Sequence, residues 1–65
     1  MFKRWIVICK VYADMEVYIN VRAINEHRAK IKAVNYCRRK GYFCVEVIGC
    51  EQATKNDIKI NEIFN

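Results

Sequence analysis

Apolar residues alternate along three stretches of this chain. Odd positions carry Trp5, Val7, Cys9 and Val11, then Val17, Ile19, Val21 and Ala23, then Phe43, Val45 and Val47. Successive strand side chains point to opposite faces, so each stretch predicts a strand whose odd residues face a core. In the second stretch the even positions, Glu16, Tyr18, Asn20 and Arg22, form a polar and aromatic outer face. Residues paired across an antiparallel hairpin share a face. That parity predicts Val11 opposite Val17, Cys9 opposite Ile19 and Val7 opposite Val21, with Ala13-Asp14-Met15 as the loop. The loop has no glycine for the left-handed position such hairpins use.

From Asn25 to Lys40 the period changes. Ala29, Ala33, Val34 and Cys37 recur at helical spacing, Asn25 can cap the start, and Gly41 can supply a left-handed residue after the end. Arg38, Arg39 and Lys40 fall in the last turn, where exposed carbonyls favour cations. At about 100° per residue, Arg28, Lys32, Asn35 and Arg39 share one side and Ala33, Val34 and Cys37 the other. The small alanines allow the helix close to a sheet. Beyond Gly49, the spacing of Ile58 and Ile60 suggests a short edge strand, whereas Ile60, Ile63 and Phe64 suggest a helical turn; the strand is the expectation.

These elements predict an α+β fold: a ββαβ unit with a fourth C-terminal strand, one helix covering one face of a three- or four-stranded, mainly antiparallel sheet. Residues 1–65 form a single compact domain. The crossover from the second strand to the third is expected to be right-handed and to pass over the first, as in a split βαβ.

Length makes the core thin, because so short a chain buries only about 60% of its unfolded surface. A dimer or a partner is the expected supplement. With 54% hydrophobic residues, no proline and only Gly41 and Gly49, the composition argues against disorder. A net charge of +5 favours an acidic partner and argues against an acidic imitation of DNA. Trp5–Cys9, the longest apolar run, is too short to span a membrane, and no small-residue cleavage site follows it, so a cytoplasmic protein is expected.

Chemistry finds little support. Without a signal sequence the four cysteines read as reduced thiols. Cys9 and Cys37 are expected as small buried hydrophobes on the core side, a disulfide being the alternative. Cys44 and Cys50 are expected on the outer face, roughly 20 Å apart along a strand, too far to hold one metal ion. His27 stands about 15 Å along the helix and about 80° round from Cys37, out of reach for proton transfer; it reads as a first-turn residue at the core margin. There is no glycine-rich phosphate loop, serine-nucleophile signature or suitable carboxylate pair. The expectation is a non-enzyme with no catalytic residue, metal or cofactor.

Two surfaces are candidates for binding. The helix ridge of Arg28, Lys32, Asn35, Arg38 and Arg39 is either a solvated face or a surface for an acidic partner or nucleic-acid phosphates. The outer sheet face should show Arg4, Ile6, Ile8 and Lys10 with Tyr12, Tyr18, Arg22, Tyr42, Cys44 and Ile48, and no segment remains to cover all of it. Tyr12, Tyr18, Arg22, Tyr42 and Ile48 have the composition of a protein interface. A homodimer, the C-terminal tail and stacked bases are the alternatives. "YFCVEVIGC" lacks the Gly-aromatic-Gly pattern of RNA-binding sheets, so that comparison assigns no residue.

The layout from "VYINVRAINEHRAKIKAVNYCRRKGYFCVEVIG" through "IKINEIF", with its A-K-x-K-A…K-G-Y pattern, resembles the compact ββαβ proteins of bacteriophages and mobile elements. Some proteins of that kind, anti-CRISPR proteins among them, inhibit host defence nucleases. The resemblance implies stoichiometric binding to a host nuclease or its ribonucleoprotein complex in the host cytoplasm. The other reading is a basic nucleic-acid-binding module that uses the helix ridge, with the sheet face forming a homodimer.

Overall fold

The computed structural model describes residues 1–53 and 62–63. Two nine-residue strands, β1 (Lys3–Val11) and β2 (Met15–Ala23), lead into α1 (Glu26–Arg39), then β3 (Glu46–Gln52) and a two-residue β4 (Glu62–Ile63). The sheet order is β3-β1-β2-β4, with β1 antiparallel to both neighbours and β4 parallel to β2. This is the expected ββαβ architecture, the α1 connection passing across central β1. The expected strand at Ile58 and Ile60 lies outside the described residues.

The odd positions face the helix. Val7, Cys9 and Val11 of β1 and Val17, Ile19, Val21 and Ala23 of β2 are buried against Ala29, Ala33 and Cys37 of α1. Alanines at the two central contacts bring the helix backbone onto the sheet without displacing the valines. Trp5, half-buried, donates its indole N–H to the Ala23 carbonyl at 3.1 Å and ties the first strand to the end of the second.

The ends of α1 form as the residues dictate. The Asn25 side chain accepts from the Arg28 N–H at 2.9 Å, satisfying one of the first-turn donors. At the other end Gly41, at φ 90°, donates to the Arg38 carbonyl and Tyr42 donates to that of Cys37, both at 3.0 Å. Those two bonds define a Schellman stop, and Tyr42 folds back onto the core as that motif favours.

Three details differ from expectation. The hairpin register is displaced by two residues: Val11 opposes Met15, Cys9 opposes Val17 and Val7 opposes Ile19. A slip of two preserves every face, so hydrophobic alternation does not distinguish the registers. The observed one places Tyr12-Ala13-Asp14 in the turn and extends pairing to Lys3 and Ala23. In the third segment Phe43 precedes β3 and is exposed, while Val45 and Val47 do pack on the core. Finally, a bulge opposite Ile8 and Cys9 pairs Ile8 with Gly49 but Cys9 with Val47, leaving Ile48 as the extra residue. A bulge reverses parity beyond it. Cys50, expected on the outer face, therefore packs toward the core. Gly49 suits this site because a Cβ there would come within 3.2 Å of Ile8 Cδ1.

Candidate functional site

The face of the sheet away from α1 is graded in charge. At one end Arg4 and Arg22 are directly opposed across β1 and β2, and both are exposed. Two like charges in that relation repel. At the other end Lys10 lies between its pairing partners Glu16 and Glu46, an arrangement of complementary sign. Between these ends stand Ile6, Ile8, Tyr18 and Asn20. Ile6 is 0% exposed and Ile8 and Tyr18 are half-buried, so the apolar centre of this face is only partly open. The open apolar patch expected here is narrower than expected: Arg4 and Arg22 are exposed, Ile8 and Tyr18 are accessible in part, and Ile6 is buried.

Of the five residues expected to make a sheet-face interface, the structure brings two together elsewhere. Tyr12 lies in the hairpin turn and Tyr42 just after α1, and their rings meet edge-on at 5.7 Å. Tyr42 belongs to the rim of the core rather than the outer face. Tyr18 and Arg22 stay on β2, and Ile48 sits at the bulge, exposed.

Phe43, which alternation assigned to the core, completes a cluster at the hairpin tip. Its ring lies 4.5 Å from that of Tyr12, edge to face, and its carbonyl accepts the Tyr12 N–H at 2.9 Å. It is 63% exposed. The backbone around it is strained: Tyr12, Ala13 and Cys44 have φ of 55°, 74° and 55°, the left-handed region that side chains disfavour. Such strain persists only where surrounding contacts over-determine it, and it gathers at functional surfaces. Met15 adds a further exposed apolar side chain beside the turn. The K-G-Y-F stretch after the helix is the available sequence signal, since the Schellman stop at Gly41 and Tyr42 places Phe43 directly after it, before β3 begins at Glu46.

The helix ridge divides. Arg28, Asn35, Arg38 and Arg39 are exposed, but Lys32 is half-buried. Its Nζ donates to the Arg22 carbonyl at 2.7 Å and lies 5.3 Å from the Phe2 ring centroid. Lys32 therefore fastens the helix to β2. Arg38 stands about 80° round the helix from Arg28, away from the flank that Arg28 shares with Arg39. Lys30 bonds Glu26 at 3.0 Å on the opposite flank, and that hydrogen bond and charge raise the Lys30 pKa. His27 is exposed rather than at the core margin, because it faces away from the sheet with Ile31.

The thiols separate by environment. Cys9 and Cys37 are buried and unbridged. Burial, followed by the neighbouring Cys37, pushes the Cys9 thiol up to about 12. Burial also raises Cys50, followed by the Glu26 carboxylate. Neither is poised as a thiolate nucleophile, which requires a lowered pKa. Cys44 is exposed at the strained tip. Among the described residues no group of three or more His, Cys, Asp and Glu side chains is arranged to hold a metal ion. Nor is any described helix long and apolar enough to cross a membrane.

No family model, curated protein or solved structure matches this chain.

Proposed function

We propose that this chain is a small protein-binding module that acts by occlusion rather than catalysis, with the hairpin tip as its contact surface. The observation that carries this reading is Phe43, 63% exposed with its ring against that of Tyr12, between segments in which Tyr12, Ala13 and Cys44 adopt the left-handed backbone conformation. Aromatic anchors beside basic residues are the composition of interface hot spots, and Arg38 and Arg39 occupy the turn of α1 that leads into the tip. Burial of Ile6 weighs against an interface centred on the sheet face. Stoichiometric inhibition of a host defence nuclease, which the overall layout implies, is the specific form we put forward.

The test is a titration of the protein into guide-loaded CRISPR nucleases, with DNA cleavage as the readout. Inhibition saturating at one-to-one stoichiometry, weakened at least tenfold by Phe43→Ser with thermal stability unchanged, is expected. Full cleavage in molar excess of the protein overturns the inhibitor form. Fluorescence anisotropy with labelled RNA and duplex DNA tests the competing nucleic-acid reading. Binding that falls steeply with salt and vanishes on Arg28→Glu and Arg39→Glu, while Phe43→Ser has no effect, would replace the protein-binding reading.

A further inference from the structure

The surface of α1 from its β3 flank round to its outward side carries an apolar seam beyond the sheet contact. His27, Ile31 and Asn35 form one row at four-residue spacing, and Lys30, Val34 and Arg38 form the adjacent one. Rows at that spacing are the ridges by which helices pack, and the space between two of them accepts a ridge from another helix. Here the two rows line a shallow, largely open depression of ≈ 410 Å³. At its floor are Ile31, 42% exposed although apolar, and half-buried Val34. Val34 was expected against the sheet with Ala33 and Cys37. Val34 stands about 60° round the helix from Cys37 and Ile31 about 60° further on, so the apolar arc of α1 runs past the sheet contact, more than a one-layer packing needs.

Charge selects the occupant. Along α1, Arg28, Lys30, Lys32, Arg38 and Arg39 are cationic and only Glu26 is acidic. Lys30 and Arg38 border the groove directly, and Arg28 and Arg39 stand on the flank beyond Asn35. A second copy docked seam to seam would set five cations and one carboxylate of α1 against the same set, and Glu26 could offset that repulsion only in part, in an antiparallel arrangement. A partner with carboxylates flanking an apolar stripe would be neutralised instead. At about 1.5 Å per residue, the 14 residues of α1 offer roughly 21 Å of seam, enough for about four turns of a partner helix.

We propose that the outer groove of α1 docks an acidic amphipathic helix of a partner protein, with Ile31 and Val34 against its apolar stripe and Arg38, with Arg28 on the flank beyond, paired with its carboxylates, Lys30 being held by Glu26. This surface is separate from the hairpin tip, and it stands or falls independently of the role proposed there.

The probe is a designed helical peptide of about three heptads, leucines along one stripe and glutamates on both flanks, with a second peptide carrying lysine at every glutamate position. Binding to the full chain is followed by calorimetry and by amide chemical shifts. The expected result is saturable binding of the acidic peptide, at least tenfold tighter than the lysine peptide and weakened by salt. Shifts should centre on Ile31, Val34 and Arg38. Ile31→Lys, at an exposed position, should reduce affinity at least tenfold with unchanged melting temperature, while Phe43→Ser should leave it intact. Equal affinity for both peptides overturns the proposal, as do shifts centred on Tyr12 and Phe43. A concentration-dependent dimer abolished by Ile31→Lys would assign the groove to a second copy. Binding to anionic lipid vesicles without binding the peptide would assign it to a membrane surface.

Discussion

Tyr12 and Phe43 are joined twice, by a 2.9 Å backbone hydrogen bond from the Tyr12 N–H to the Phe43 carbonyl and by an edge-to-face ring contact at 4.5 Å. The hairpin turn and the segment after the helix are far apart in sequence, and each contains left-handed residues that lack glycine's freedom. Each therefore holds the other in a conformation that neither segment would favour alone. The cost of a left-handed non-glycine residue is of order 1 kcal/mol.

That cost can be relieved at one position without touching the rings. Ala13→Gly removes the side-chain conflict at φ 74° and should raise stability by about 0.5 kcal/mol, after allowing for the greater freedom of glycine in the unfolded chain. Tyr12→Gly relieves a similar conflict but loses the contacts to Tyr42 and Phe43, and should be net destabilising. Urea denaturation of both variants distinguishes the effects; a stabilised Tyr12→Gly would mean that the ring cluster contributes little.

Gly49 and Ile8 should be energetically coupled. A Cβ at residue 49 would sit 3.2 Å from Ile8 Cδ1, the end of a flexible side chain. Gly49→Ala is expected to cost about 1 kcal/mol in the native background. In an Ile8→Val background, which lacks that methyl, the cost should shrink to near zero. A double-mutant cycle measures the difference, and additive effects would show that the bulge does not depend on this contact.

Alkaline pH should weaken the fold through the buried thiols. Cys9 ionises at about 12 in the folded chain against an ordinary 9.0, so between those values the unfolded state has released a proton that the folded state retains. Stability is then fully present below about pH 9 and declines as pH rises toward 12. Cys50, shifted in the same direction, adds to the decline. Denaturation midpoints across this window should fall less steeply for Cys9→Ala than for the native chain. In the native state at neutral pH, a maleimide should label exposed Cys44 quickly and leave Cys9 and Cys37 unmodified; rapid labelling of all of them would reveal an open core.

Removal of the helix cap should cost about 1 kcal/mol. Asn25→Ala orphans the Arg28 N–H, whereas Asn25→Asp or Asn25→Ser keeps an acceptor and should be nearly neutral. For a domain this small, 1 kcal/mol corresponds to a melting-temperature change of roughly 4–8 °C. Equal loss for all the substitutions would assign the role of Asn25 to something other than its side-chain oxygen.

The sequence by itself determined the parity of β1 and β2, the limits of α1 and the character of its ends. Those features depend on side-chain periodicity and on bonds between residues close in the chain, such as Asn25 to Arg28 and Gly41 to Arg38. Tertiary structure decided the rest. A two-residue slip leaves every hairpin side chain on its face, so alternation is silent about it, and Tyr12 entered the turn. The bulge at Ile48 reversed the faces beyond it because the fit of Gly49 against Ile8 depends on a neighbouring strand. Phe43 carried a core-like pattern into an exposed position because the stop after α1 redirected the chain, and Ile6 is buried on a face that strand patterning leaves open. Residues close in sequence interact through geometry that their own types impose; exposure of Phe43 at the tip and burial of Ile6 in the sheet depend on which distant surfaces meet.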